Sequence, residues 1–127
     1  MGARTARTAK KKRVYKELCT FCHLRHIQLL DAVHIMPGGE DGGEPIVPNG
    51  LALCKIHHAA FDNNIVGINP DYKIIVREDI LEEIDGSMLK YGIQEMHGQK
   101  NALPGKRTDQ PDKERLLVRF KRFKEVC

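Results

Sequence analysis

Leu29-Leu30-Asp31-Ala32-Val33-His34-Ile35 and, beyond a loop, Asn49-Gly50-Leu51-Ala52-Leu53-Cys54-Lys55-Ile56-His57-His58-Ala59-Ala60-Phe61-Asp62 are the stretches on which the fold turns. The first run is short, apolar and closed by Met36-Pro37-Gly38-Gly39, which predicts a buried strand over Leu29–Ile35. The loop from Pro37 to Pro48 holds four glycines and three prolines, strong punctuation between regular elements. Leu51–Leu53 predicts a short return strand. A helix is expected to start near Cys54 and to run to about Asn63, where Asn63-Asn64 ends it.

Upstream of this stretch lies Cys19-Thr20-Phe21-Cys22. The pairs Cys19/Cys22 and Cys54/His57 each have two residues between ligands, tight enough to share one ion. The 31 residues between the pairs leave room for a strand, a loop and a return strand. Zn²⁺ takes four tetrahedral N/S ligands, and three cysteines with one histidine form a common closed set. The alternative is three buried free thiols. His23 and His26 stand beside the first pair as substitute ligands or as solvated side chains. A chain of 127 residues with 6% aromatics and no Trp builds only a modest core. Structural zinc, worth roughly 10–16 kcal/mol of apparent folding free energy in small peptides, would matter to it.

At about 100° per residue, Cys54 and His57 share one helix face and His58 points a quarter-turn away. His58 and Asp62, four apart, lie together on that second face. An imidazole and a carboxylate so placed suit a divalent cation such as Mg²⁺ or Mn²⁺. His34 sits on the facing strand, where a neutral imidazole can take a proton from water. Asp31 belongs to the other strand face if the strand is regular. It stands either as a further metal ligand or as a structural acceptor.

These residues resemble the HNH nuclease family, and in particular the HNH domains of bacterial modification-dependent restriction endonucleases, in which the domain follows a reader for modified DNA. The resemblance covers about residues 17–80. It rests on Asp31–Ile35, Pro48–Cys54 and His57–Asp62, with the continuation through 65–77 and 86–104 also similar. It implies an α+β fold with a ββα-metal (His-Me finger) core, joined here by a zinc knuckle, an added β-hairpin and a C-terminal helix. It also implies His34 as general base, Asn49 as the brace of loop and base, and His58 as the metal-binding histidine. Many members carry His or Asp immediately before the base, where this chain has Val33, and a second helix histidine where it has Asp62. The expected activity is divalent-metal-dependent DNA phosphodiester hydrolysis. The alternative is a zinc-stabilised nucleic-acid-binding module without catalysis.

The remaining sequence fills in around that core. Ile65–Ile68 and Lys73–Arg77 flank Asn69-Pro70-Asp71-Tyr72, which predicts a hairpin, and a helical turn is expected at Glu78–Glu83. Residues 86–108 lack periodicity and are expected to wrap the surface. Pro111 with Asp109 and Asp112 predicts a helix to about Val126, with Leu116, Phe120 and Phe123 as its apolar stripe and a basic opposite face. The expected domain is 17–108, with residues 109–127 a helix packed on it.

Net charge is +4. Residues 1–16 carry Arg4, Arg7, Lys10, Lys11, Lys12, Arg13 and Lys16 without an acid, and the remainder is slightly acidic. This arm reads as a disordered linker or as a phosphate-binding segment centred on Lys10-Lys11-Lys12-Arg13. Its opening residues look like a cut inside a longer protein. Cysteine usage favours a reducing compartment, with Cys127 left over, and no signal core or membrane span is evident. The expected setting is the bacterial cytoplasm, the expected partner DNA, with a possible homodimer and a modified-base reader elsewhere in a longer chain.

Overall fold

The computed structural model describes Tyr15 and residues 17–126. The basic run Lys10–Arg13 and Cys127 lie outside the described residues. In chain order the regular elements are β1 (Leu30–His34), β2 (Gly50–Cys54), α1 (Lys55–Asp62), β3 (Val66–Ile68), β4 (Ile74–Val76), α2 (Glu78–Leu81) and α3 (Lys113–Val126). The two antiparallel pairs, β1 with β2 and β3 with β4, give an α+β architecture in which α1 packs on both hairpins.

β1 and β2 pair in the register Leu30↔Cys54 through His34↔Gly50. Every residue of β2 is buried. The knuckle segment covers it, the Thr20 N–H donating to the Ala52 carbonyl at 2.9 Å. Tyr15, grouped with the basic arm on sequence, is buried, and its hydroxyl donates to the Gly50 carbonyl at 3.1 Å. Leu30, Ile35, Leu51, Leu53, Phe61, Ile68 and Ile74 fill the interior.

The second hairpin turns as its sequence directs. Asn69 Oδ1 accepts the backbone N–H groups of Asp71 and Lys73, both at 3.0 Å, while Pro70 holds its φ in the bend. Residues 86–108 do more than wrap the surface. A π-helical turn at Met88–Ile93 and a 3-10 turn at Gln94–Met96 bring the chain back along β4. Gly98 donates to the Ile74 carbonyl at 2.7 Å and Ile74 donates to Gln99 at 2.8 Å. The pairing partner of this segment is a backbone, so no side-chain periodicity signals it.

α3 begins two residues later than Pro111, with Asp112 Oδ2 accepting from the Arg115 N–H at 3.3 Å. Leu116 and Phe123 are buried as the stripe predicts, and Phe120 stacks on Phe123 with ring centroids 5.6 Å apart. The other arginines of the helix are spent on the protein itself. Arg115 donates to the Gly42 carbonyl and to Glu44, both at 2.7 Å, and Arg122 pairs with Glu40 at 2.6 Å. Two arginines of the basic face therefore stitch the helix to the Pro37–Pro48 loop. A groove of about 720 Å³ between loop and helix contains none of the predicted site residues.

Gly67 lets α3 dock. A Cβ built there would meet the Phe123 ring at 2.8 Å, so the aromatic ring occupies the space that a side chain would need. Gly67→Ala is expected to destabilise the fold by about 1–3 kcal/mol in urea unfolding. Gly105→Ala, whose Cβ would meet nothing within 4 Å, is the matched control.

Candidate active site and metal centre

α1 starts where β2 ends. Cys54 caps it from an extended conformation, its Sγ accepting the His57 N–H at 3.5 Å. That junction places two chemically different sites on adjacent residues.

The first site is buried except at Cys22, which is exposed. The ligand atoms of Cys19, Cys22, Cys54 and His57 all lie within 4.8 Å of one another. His57 Nδ1 is 3.3 Å from Cys54 Sγ and 3.6 Å from Cys19 Sγ. Bond lengths of about 2.3 Å to sulfur and 2.0 Å to nitrogen give tetrahedral N···S edges of about 3.5 Å, so the set fits zinc. His57 Nε2 lies 2.6 Å from the Gly92 carbonyl, and its N–H donates there, which turns Nδ1 toward the sulfurs. The Phe21 ring, 5.4 Å away, walls the imidazole. Hydrogen bonds among the sulfurs, that from Cys19 first, push the Cys22 thiol up and hold Cys54 down. Burial works against a charged His57, but its contacts with Cys19, Cys54 and Gly92 win and raise it to about 10. Sulfurs crowded in this way compete for protons, a conflict that a thiolate-bound dication removes.

The second site faces outward. His58 Nδ1 is 2.8 Å from Asp31 Oδ2, and His58 Nε2 is 3.1 Å from Asp62 Oδ2. Lys55 pairs with the other Asp31 oxygen. Burial raises the Asp31 carboxyl, but the bonds from Lys55 and His58 outweigh it and hold the group below the usual range. Asp31 and Asp62 therefore bracket the imidazole instead of converging on one point. Among the described residues, three or more donors come within 4.8 Å of one another only at the cysteine–histidine cluster.

A neutral imidazole has one N–H. If the shorter contact, to Asp31, takes it, the Nε2 lone pair faces a carboxylate oxygen, and a cation between them relieves the repulsion. Nε2 and Asp62 are therefore the pair that would hold a divalent ion here.

His34 is the last residue of β1 and is half-buried. Its cross-strand partner is Gly50, which adds no side chain beside the imidazole. The backbone leaving His34 is held by buried Asn49. The Ile35 N–H donates to the Asn49 carbonyl at 2.9 Å, and the Met36 N–H donates to Asn49 Oδ1 at 2.8 Å. Asn49 Nδ2 in turn donates to the carbonyls of Met36 at 3.1 Å and Glu44 at 3.0 Å. One side chain closes the neck of the loop and fixes where the histidine strand ends. The sequence predicts neither Lys55 nor Gly92 as a partner here. Gly92 acts through a carbonyl that every residue carries, and Lys55 is one lysine among many.

Residues 19–69 match the HNH endonuclease family. No curated protein sequence matches the chain. Among solved structures, a modification-dependent TagI restriction endonuclease shares the fold, with a TM-score of 0.62 and 18% identity over 92% of this chain. The match covers 37% of that protein, so this chain spans little more than a third of its length. The matched segment holds the cysteine–histidine cluster, β1, β2 and α1, so the similarity to HNH endonucleases falls on the part of the chain that carries both candidate sites.

Proposed function

We propose that this chain is the cutting part of a modification-dependent restriction endonuclease, hydrolysing DNA phosphodiester bonds with a divalent ion at His58 and Asp62 and a structural zinc at Cys19, Cys22, Cys54 and His57. The observation that carries the reading is the pair of neighbouring imidazoles, each committed to a different donor set. A module that only bound nucleic acid would need the first set and not the second.

In this reading His34 is the general base and takes the proton from the attacking water. Asn49 holds the strand end from which His34 acts. Asp31 accepts the His58 Nδ1–H and keeps Nε2 toward the ion, the carboxylate–histidine device that orients many metal ligands. Lys55 offsets the charge of Asp31. Mg²⁺ or Mn²⁺, when bound, supplies electrostatic stabilisation for charge developing on the phosphate and the leaving 3′ oxygen. Lys10, Lys11, Lys12 and Arg13 neutralise backbone phosphates without reading sequence. Base modification is read by a separate domain, and two copies of the site cut the two strands. The setting is the bacterial cytoplasm; among the described residues no helix is long and apolar enough to cross a membrane.

Plasmid cleavage across a panel of divalent ions tests the reaction. Cleavage supported by Mn²⁺ or Mg²⁺ and stopped by EDTA is expected, with His34→Ala slower by about 10²–10⁴-fold and its melting temperature unchanged. DNA binding without cleavage under every ion, or wild-type cleavage by His34→Ala, would refute the assignment.

Elemental analysis should find one zinc per chain, and stripping it with a strong chelator should abolish cooperative thermal unfolding. A zinc-free protein with an unaltered melting curve contradicts the structural role. Asp31→Ala frees His58 Nδ1, and it should raise the divalent-ion concentration needed for cleavage about 10–100-fold while zinc content stays the same. An unchanged ion requirement removes Asp31 from the site.

A further inference from the structure

α3 lies outside residues 19–69, yet one of its side chains reaches the middle of the site. Arg119 donates from Nη2 to the Phe61 carbonyl at 2.8 Å and from Nη1 to the Ile35 carbonyl at 3.3 Å. Its guanidinium carbon stands 4.3 Å over the Phe61 ring. Phe61 immediately precedes Asp62, and Ile35 immediately follows His34. Phe61 also lies in the last turn of α1, where a cation is favoured, and its carbonyl accepts the Asn64 N–H at 3.3 Å besides the guanidinium.

The geometry is that of a second tie between the same two elements. Asp31, near the start of β1, holds Lys55 and His58 at the start of α1. Arg119 joins the end of β1 to the end of α1. Asp31 holds the two elements together near one end of the site, and Arg119 holds them at the other, where His34 leaves the strand and Asp62 ends the helix. A planar guanidinium suits this role because its fork donates in two fixed directions while its face lies on an aromatic ring. A lysine has no such fork.

Resting on the function proposed above, we propose that Arg119 is a positioning residue of this nuclease. It acts through the Ile35 and Phe61 carbonyls to fix His34 against His58 and Asp62, so that a helix beyond the family core completes the active site. On the same helix Arg115 ties the Pro37–Pro48 loop and Asp112, and Arg122 ties Glu40 of that loop, which makes Arg122→Ala a suitable control.

The test compares zinc-loaded Arg119→Met, Arg119→Lys and Arg122→Ala with the wild-type protein. Imidazole NMR resonances of His34 and His58 and calorimetric Mn²⁺ binding are measured without DNA, and kcat and KM with it. Both Arg119 variants should keep one zinc and a cooperative melt. They should shift both imidazole resonances, weaken Mn²⁺ binding about 10-fold, and lower kcat by up to about 10²-fold with KM unchanged. Arg122→Ala should do none of these things. If the Arg119 variants fold but leave the resonances, Mn²⁺ affinity and kcat at wild-type values, Arg119 merely docks a helix and the proposal falls. It falls equally if neither variant holds zinc and folds, since the residue is then one of folding. A wild-type protein that cleaves nothing would instead refute the nuclease reading, while the resonance and Mn²⁺ measurements still decide the role of Arg119.

Discussion

His57 Nδ1 lies 3.3 Å from the sulfur of the residue that caps its own helix and 3.6 Å from a sulfur of the knuckle. That contact fastens the first turn of α1 to the segment around Cys19, and the rest of the structure depends on the fastening. An eight-residue helix has little stability of its own in water. Anchored through His57, it has one permitted rotation, and His58 is carried about a quarter-turn away from the Cys54–His57 face. The carbonyl of Gly92 completes the constraint by fixing which ring nitrogen faces the sulfurs. A buried scaffold and an open, charged face are thus separated by a single peptide unit.

Against this anchored helix, β1 is located by contacts of different kinds. Asp31 bridges Lys55 and His58 at one end. At the other, Asn49 captures Met36 through both atoms of its amide, and Arg119 captures the next carbonyl toward the strand. A buried asparagine with every contact directed at backbone is costly to replace, because a lost partner leaves N–H and C=O groups dry at about 1–3 kcal/mol each. The surface pairs of Arg115 and Arg122 with the loop are individually worth about 0–1 kcal/mol. They act as a set of weak ties, whereas the Asn49 neck is a strong one.

The arginines of α3 show how misleading a charge count can be. Read as a string, the helix is a basic face awaiting phosphate. In three dimensions Arg115, Arg119 and Arg122 end on Gly42, Ile35, Phe61, Glu40 and Glu44. Burial pulls Arg119 below its ordinary value, with nearby Asp62 opposing, as expected of a guanidinium used structurally.

What the sequence alone determined was local. The cysteine and histidine spacings, the hairpin turn at Asn69-Pro70, the positions of the strands and the separation of His57 and His58 onto different donor sets all follow from periodicity and ligand stereochemistry over a few residues. Only the tertiary structure decided which side of the His58 ring Asp31 takes, that residues 97–101 run beside β4, that Tyr15 belongs to the core, and where the arginines of α3 are spent. Each of those outcomes involves a backbone carbonyl, a backbone N–H or a charge far away in the chain. Backbone groups are identical at almost every position, so nothing in the order of side chains marks which of them will be met.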